Sequence, residues 1–239
     1  METLYIVMPA YNEQETVEAV INQWYPIVAQ TGPESRLVVV NDGSKDRTAE
    51  ILQRCARTRP QLVALDKPNS GHGATVLYAY RYALKQGADY VFQTDSDGQT
   101  LPEEFGPFWA QRADYDFLIG QRCNRQDGFS RVVVTKVLRL VLWVSFGVWV
   151  PDANTPYRLM KADTLRENLA FLPPDFNLSN AALAVIYARR HQRVKYIPIT
   201  FRPRQGGVNS INLKKIIKIG WNALRDFRTI DKALRQKGI

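Results

Sequence analysis

Residues 36–57 read RLVVVNDGSKDRTAEILQRCAR, an order that predicts a strand, a loop and then a helix. The four apolar residues at 37–40 predict a buried strand, because a short apolar run bounded by turn residues is typical of a sheet interior. The polar run at 41–46 has the Asn, Asp, Gly and Ser of a loop. From Thr48 the apolar residues recur at helical spacing, which predicts a helix as far as Arg57.

The same alternation continues on both sides of this stretch. Short apolar runs predict further strands at Leu4–Met8, Gln61–Leu65, Asp89–Thr94, Tyr115–Gly120, Thr155–Lys161 and Arg193–Phe201. Amphipathic stretches predict further helices at Glu15–Ala29, Ala74–Gln86 and Leu178–Arg190, and a long terminal one from near Leu213. Strands that alternate with helices predict an α/β fold of Rossmann-like type, with a mostly parallel central sheet flanked by helices.

Composition excludes several classes of protein. The chain has 239 residues, of which 45% are hydrophobic and 23% charged, so it is neither disordered nor of low complexity. Its two cysteines, Cys55 and Cys123, are too few for a disulfide scaffold, which favours a reduced, cytoplasmic protein. The N-terminus lacks a basic segment followed by a long apolar one, so we expect no secretory signal.

The net charge of +9 is concentrated at one end of the chain. Residues 212–239 contain eight Lys or Arg and two Asp, so +6 of the charge lies there. The sequence therefore predicts a catalytic domain at 1–211 and a basic amphipathic helix at 212–239. Because this helix has an apolar face with a tryptophan and no nucleic-acid module is present, we expect an anionic membrane surface and no nucleic acid. The alternative is a helix packed on the body with a solvated basic side.

Polar loops that carry carboxylates follow three of the predicted strands, at Pro9–Glu13, Asn41–Asp46 and Asp95–Gln99. Ligands of open parallel sheets bind at the carboxyl ends of the strands, so these loops predict a site. Asp95 and Asp97 would converge if a turn follows the strand. Paired carboxylates suit Mg²⁺ or Mn²⁺, which would bridge a diphosphate leaving group. The alternative is a solvated turn.

The motifs of these loops resemble those of the family 2 glycosyltransferases, which have a GT-A fold. They are Met8-Pro-Ala-Tyr-Asn-Glu13, Val40-Asn-Asp-Gly-Ser-Lys-Asp46 and Thr94-Asp-Ser-Asp-Gly-Gln99. The remainder resembles, more loosely, the branch that acts on dolichyl or polyprenyl phosphate. The resemblance implies a UDP- or GDP-linked sugar donor and inversion at the anomeric carbon. It also implies a dolichyl or undecaprenyl phosphate acceptor at the cytoplasmic face of a membrane.

The resemblance implies roles for single residues of the three loops. The base and ribose would be held by Pro9, Tyr11, Glu13 and Asp42. The nucleotide would contact Asp95, and the metal ligands would be Asp95, Asp97 and Gln99, with Asp97 catalytic. From the residues alone, Asp42 is either a ribose ligand or a turn residue that caps the next helix. Asn12 and Glu15 also have the spacing of a capping box.

The second half supplies further candidates. Arg122 and Arg131 are placed to pair with phosphate, although a solvated surface position is the alternative for each. Residues 151–159 resemble an Asp-x-Thr-x-Phe-Arg-Leu element, in which Asp152 would be the general base for a hydroxyl acceptor or a positioning group for a phosphate acceptor. Residues 202–210 resemble a loop that closes over the donor diphosphate. That likeness makes Arg204 a catalytic contact, while Ser210 stands one position later than the family's serine.

The apolar stretch at 131–150 is interrupted by Lys136 and Arg139, so it is too short to span a membrane. It predicts either a core helix or an interfacial helix, and its tryptophans, Trp143 and Trp149, suit the interface. We therefore expect a peripheral protein.

Three other functions remain open from the sequence. The first is transfer to a hydroxyl of a cell-surface glycan or glycolipid. The second is a non-catalytic protein that binds nucleotide sugars, although the retained Asp95, Asp97, Gln99 and Arg204 argue against it. The third, binding of nucleic acid, is prompted only by the basic tail.

Overall fold

A computed structural model of the chain describes residues 2–123, 139, 142–143, 145–203 and 227–238. The described strands are β1 (Leu4–Ala10), β2 (Arg36–Asp42), β3 (Leu62–Lys67), β4 (Tyr90–Gln93), β5 (Phe117–Cys123), β6 (Arg158–Lys161) and β7 (Val194–Thr200). The described helices are α1 (Val17–Thr31), α2 (Thr48–Arg57), α3 (His72–Lys85), α4 (Phe105–Ala110), α5 (Ala162–Leu169) and α6 (Ser179–Arg189), with a 3₁₀ turn at Pro102–Glu104 and a helical segment at 227–236.

The described strands form one sheet in the order β3-β2-β1-β4-β6-β5-β7. Strand β6 is antiparallel to both of its neighbours, and every other pair is parallel. The predicted α/β fold with a mostly parallel sheet is therefore confirmed. The reversed strand is not visible in the sequence, because a strand buried on both faces reads as an apolar run in either direction.

Helices cover both faces of the sheet. In β1, Leu4, Ile6 and Met8 pack in the core that contains α1, α2 and α4, whereas Tyr5 and Val7 pack in the core that contains α3, α5 and α6. All seven residues of β1 are buried, as expected for a central strand of a three-layer α/β domain.

The sequence analysis does not predict α4 or α5. Helix α4 has six residues, FGPFWA, and its glycine and proline disfavour a helix. Its Phe105 and Phe108 are nevertheless buried, and this packing outweighs the weak propensity. Helix α5 follows β6 directly, so no loop residues mark its start.

Most of the apolar stretch at 131–150 lies outside the described residues. Of those described, Leu142, Phe146 and Val150 are buried in the core, whereas Trp143 and Trp149 are 52% and 62% exposed. The buried residues favour the core alternative for this part of the stretch, and the interfacial alternative stays a prediction.

The helical segment at 227–236 packs on the body. Phe227, Ile230 and Leu234 are at most 1% exposed, and Asp231 accepts a hydrogen bond from Arg189 of α6. For these residues the packed alternative holds, because their apolar face is covered by protein. Residues 212–226, and with them the predicted domain boundary and most of the predicted membrane surface, lie outside the described residues. Within the described ranges, no helix combines the length and the apolarity that crossing a membrane requires.

Candidate functional site

A cleft of about 650 Å³ opens where β1, β2 and β4 end. These strands are parallel neighbours, so the loops that follow them meet at one edge of the sheet. The cleft is lined by Pro9, Ala10, Tyr11, Asn12, Glu13, Asp42, Asn69, Gly71, His72, Thr75, Asp95, Ser96 and Asp97. The structure therefore brings together the predicted site residues Pro9, Tyr11, Glu13, Asp42, Asp95 and Asp97.

The loops after β1 and β2 are bonded to each other. Asn12 has a left-handed backbone with φ of 54°, and its N–H donates to Ser44 Oγ at 3.0 Å. Its side-chain Oδ1 accepts from the Lys45 N–H at 2.8 Å, so the predicted capping box with Glu15 is wrong. The Glu13 N–H donates to Thr48 Oγ1 at 2.8 Å. These bonds make one wall of the cleft a rigid unit.

Asp42 is buried and organises the loop that precedes α3. Its Oδ1 accepts from the Ser70 N–H at 2.9 Å, and its Oδ2 accepts from the Gly71 N–H at 3.0 Å. Burial by itself would raise the pKa of Asp42, but the hydrogen bonds from Lys67 and Ser70 lower it below the usual value. Asp42 is therefore a carboxylate that shapes the cleft, and its contact with ribose stays a prediction.

Lys67 is a site residue that the sequence analysis missed. It ends β3 opposite Asp42 in the sheet register, and its Nζ donates to Asp42 Oδ1. The same Nζ donates to Pro68 O at 2.8 Å and Ser70 Oγ at 2.6 Å. Its position in the sequence could have indicated this contact, because Lys67 is at the carboxyl end of the strand that pairs with β2.

Two of the three predicted metal ligands, Asp95 and Asp97, line the cleft. Asp95 Oδ1 is 3.0 Å from His72 Nε2, and Asp97 Oδ1 accepts from the Gln99 N–H at 3.1 Å. Partial desolvation would lower the pKa of His72, whose side chain is 51% exposed, but the neighbouring carboxylates, Asp95 first, raise it above its usual value. The floor is therefore acidic, with an imidazole at its edge.

Gln99 joins this carboxylate loop to the end of β7. Its side-chain Nε2 donates to Arg202 O at 2.8 Å, and the Arg202 N–H donates to Gln99 O at 2.9 Å. Glu104, at the end of the 3₁₀ turn that follows this loop, accepts a hydrogen bond from the Thr200 N–H at 2.9 Å. The structure thus engages the side-chain Nε2 of Gln99 with the backbone of Arg202, and the role of Gln99 as a metal ligand stays a prediction.

The donor atoms at the floor suit a hard divalent cation. Among the described residues, no group of three or more His, Cys, Asp or Glu side chains forms a ready metal cage. Mg²⁺ does not require one, because it binds through one or two carboxylates and completes its shell with water and substrate phosphate. Asp95 and Asp97 supply those two carboxylates on one short loop, so the residues fit Mg²⁺ or Mn²⁺.

Arg122 and Asp152 form an ion pair at the end of β5. Arg122 Nε and NH2 donate to the two carboxylate oxygens of Asp152, each at 2.8 Å, and the Arg122 N–H donates at 3.2 Å. The side chains are only 8% and 6% exposed. Both oxygens of Asp152 are therefore engaged by Arg122, and its use as a general base would require the pair to open.

Arg158 is a second residue that the sequence analysis did not single out. It is fully buried, and it donates to Thr155 O at 2.6 Å, Asn180 O at 2.7 Å and also Ala153 O. Burial lowers its pKa from the usual arginine value. The side chain anchors the turn that carries Asp152. The available signal was an arginine flanked by Tyr157 and Leu159 within the predicted strand.

The remaining predicted site residues are Arg131, Arg204 and Ser210. All three lie outside the residues that the structure describes. Their roles stay predictions.

Gly73 is required where α3 begins beside the cleft. A Cβ at this position would lie 2.1 Å from the backbone oxygen of Asn177. We expect Gly73→Ala to reduce the free energy of unfolding by about 1–3 kcal/mol, because helix and loop must separate. Urea unfolding followed by circular dichroism measures the change.

Gly106→Ala is the matched control for that prediction. Gly106 lies in α4, and no atom is within 4 Å of its added Cβ. The exchange should be neutral or slightly stabilising. Equal unfolding midpoints for the two variants would contradict the close approach of Gly73 to Asn177.

Comparison with known proteins identifies relatives with named activities. The profile of Glycosyl transferase family 2 matches residues 5–183. The chain is 25% identical over 233 residues to the undecaprenyl-phosphate 4-deoxy-4-formamido-L-arabinose transferase of Pectobacterium carotovorum, covering 94% of this chain and 67% of that protein. It is 26% identical to the undecaprenyl-phosphate mannosyltransferase of Micrococcus luteus, covering 86% of each. For the Edwardsiella ictaluri arabinose transferase the chain spans 64% of the relative's length.

A solved structure shares the fold. Glucosyl-3-phosphoglycerate synthase from Mycobacterium tuberculosis, crystallised with Mn²⁺, UDP-glucose and phosphoglyceric acid, superimposes with a TM-score of 0.70. The match covers 97% of this chain and 80% of that one at 18% identity. At this identity the comparison establishes the GT-A fold and nothing finer.

Proposed function

This chain belongs to glycosyl transferase family 2, and from that premise we propose that it transfers a sugar from a nucleoside-diphosphate sugar to a polyprenyl phosphate. The observation that carries the proposal is the cleft with Asp95 and Asp97 at its floor. The acceptor is supported by relatives that are named as undecaprenyl-phosphate sugar transferases. The donor is UDP- or GDP-linked.

The nucleoside lies at the end of the cleft formed by the loops after β1 and β2. Tyr11 is 42% exposed there and offers an aromatic face to the base. Pro9 and Glu13 border the same wall, and Asp42 holds the Lys67–Gly71 loop against it. This wall positions the base and ribose before the sugar reacts.

The diphosphate lies over Asp95 and Asp97. These carboxylates would hold Mg²⁺ or Mn²⁺, which would supply positive charge next to the diphosphate. His72 orients the Asp95 carboxylate through the bond at 3.0 Å. Arg204 and Ser210 are assigned to the diphosphate only by the resemblance of residues 202–210 to the family's loop.

The acceptor attacks the anomeric carbon from the side opposite the leaving group, and the configuration inverts. A phosphate monoester is already anionic at neutral pH, so this attack needs no strong base. Asp152 consequently acts by holding Arg122, in keeping with the ion pair in which both its oxygens are engaged. Arg131 contributes a second positive charge to the acceptor phosphate.

We place the reaction at the cytoplasmic face of a membrane, with the protein peripheral to it. The exposed rings of Trp143 and Trp149 support this placement, since tryptophan favours the membrane interface. Residues 212–226 add basic charge that an anionic surface would attract.

The test is nucleotide release from UDP- and GDP-sugars with Mn²⁺, with and without a short polyprenyl phosphate. Release that rises sharply with the lipid phosphate supports the proposal and identifies the donor. Release that is indifferent to the lipid would instead favour a glycan hydroxyl as acceptor. Absence of release with every donor would favour a protein that only binds nucleotide sugars.

A further inference from the structure

The loop between α5 and α6, residues 170–178, lies against the helical segment at 227–236. The ring centre of Phe227 is 6.1 Å from that of Phe176, and Lys237 Nζ is 4.8 Å from the ring centre of Phe171. One contact involves the first residue of the segment, and the other involves the residue that directly follows its last. The way the segment packs on the body therefore bears on the position of the whole loop.

The same loop is packed tightly against the start of α3. A Cβ at Gly73 would lie 2.1 Å from Asn177 O, and a Cβ at Gly71 would lie 2.8 Å from Asn177 Oδ1. Further along α3, Arg81 donates to Leu172 O at 3.1 Å. Only glycine allows an approach this close, because a side chain at either position would have to displace the loop. A shift of Asn177 must therefore move the start of α3 or open the contact.

Gly71 belongs to the wall of the cleft. Its N–H donates to Asp42 Oδ2 at 3.0 Å, and the preceding Ser70 N–H donates to Asp42 Oδ1 at 2.9 Å. The residue after it, His72, has its Nε2 3.0 Å from Asp95 Oδ1. The contact between Gly71 and the loop at 170–178 therefore bears on the residues that hold two carboxylates of the cleft.

Phe227 stands at the far end of this chain of contacts. Its side chain is fully buried, and its ring contacts both Phe176 and Phe146, whose ring centre is 5.5 Å away. Removal of the ring would leave a cavity beside Phe176, and the loop would lose part of the surface on which it packs. Each step from Phe227 to Gly71 is a direct packing contact, and a closely packed interior transmits a displacement because it has little free volume.

We propose that the segment at 227–236 positions the donor side of the cleft, with Phe227 as a positioning residue. Phe227 acts through Phe176 and Asn177 on Gly71. This inference rests on the proposed function, because the ligand whose binding it governs is the nucleoside diphosphate. Packed on the body, the segment keeps Asn177 against Gly71, and Gly71 keeps Asp42 oriented. A nucleotide then meets a wall that is already ordered, so its binding costs less conformational entropy.

Hydrogen exchange of the whole chain tests this positioning. In Phe227→Ala we expect the amides of Ser70 and Gly71 to exchange at least about tenfold faster than in wild type, because the turn opens locally more often. Phe108→Ala is the matched control. Phe108 is an equally buried ring in the core on the opposite face of the sheet, so its loss should destabilise the chain without changing exchange at this turn.

A double-mutant cycle shows whether the effect passes through Phe176. Phe176→Ala alone should also speed exchange at Gly71, and the double variant with Phe227→Ala should exchange no faster there than the faster single variant. If Phe227→Ala does not fold, Phe227→Leu takes its place, since leucine keeps much of the apolar volume and loses the ring contact.

Nucleotide binding is the second measurement. Titration calorimetry with Mn²⁺ uses UDP and GDP on the whole chain, and the nucleotide that wild type binds is then compared among the variants. Its affinity should fall at least about threefold in Phe227→Ala and in Phe176→Ala, because the wall of the cleft is less ordered before binding. It should stay at the wild-type value in Phe108→Ala.

The outcomes separate this inference from the proposed function. Unchanged exchange at Ser70 and Gly71 in Phe227→Ala, or faster exchange with unaltered nucleotide affinity, would overturn the inference while the proposed function stands. Additive effects of the Phe227 and Phe176 substitutions would overturn it too, because the two residues would then act independently. If wild type binds no nucleotide, the proposed function falls, and the exchange experiment alone decides whether Phe227 positions the turn.

Discussion

Replacing Asp97 by alanine or asparagine is expected to lower sugar transfer by about 10²- to 10³-fold or more while the fold remains intact. Asp97 is 9% exposed and lines the cleft in which the proposed function places the departing diphosphate. Asparagine keeps the side-chain size and an acceptor for the Gln99 N–H, so its effect reports the lost charge. Steady-state nucleotide release with Mn²⁺ measures the change, and thermal unfolding checks the fold.

Asp163→Asn is the control for this substitution. The Asp163 side chain is 92% exposed and pairs only across one turn of α5 with Arg166, so transfer should stay at the wild-type rate. Wild-type activity in both Asp97 variants would remove the assignment of Asp97 to the reaction.

Replacing Arg158 by methionine is expected to lower the free energy of unfolding by about 3 kcal/mol or more. The exchange keeps much of the side-chain volume but leaves the backbone oxygens of Ala153, Thr155 and Asn180 without their donor. Each buried acceptor left unsatisfied costs about 1–3 kcal/mol. For a chain of this size the melting temperature should fall by about 10 °C.

Arg166→Met is the matched control, because Arg166 is at the surface and its ion pair contributes little. Its unfolding free energy should stay within about 0.5 kcal/mol of wild type. A melting temperature for Arg158→Met equal to that of Arg166→Met would show that the turn at 151–155 does not depend on Arg158.

Much of the lining of the cleft could be predicted from sequence. Each of its loops directly follows a buried strand, and parallel strands bring such loops to one edge whatever the details of packing. Pro9, Tyr11, Glu13, Asp42, Asp95 and Asp97 accordingly line one cleft.

The ion pair between Arg122 and Asp152 could not be predicted in the same way. Asp152 and Arg122 are 30 residues apart in the chain, and only the pairing of β5 with β6 brings them together. The sequence left Asp152 as either a general base or a positioning group, and only the structure shows that both of its oxygens accept from the Arg122 guanidinium at 2.8 Å. Lys67 is a similar case, because its hydrogen bond to Asp42 depends on the pairing of β3 with β2.

By itself the sequence determined the alternation of strands and helices, the class of fold and the carboxylate loops at the strand ends. These follow from local apolar spacing and from residues adjacent in the chain, which the order of residues specifies directly. Only the tertiary structure decided that β6 is reversed, that Asp42 is engaged by Lys67, and that Arg122 pairs with Asp152. The physical reason is that hydrogen bonds between side chains distant in sequence depend on register and direction, and apolar runs do not encode either.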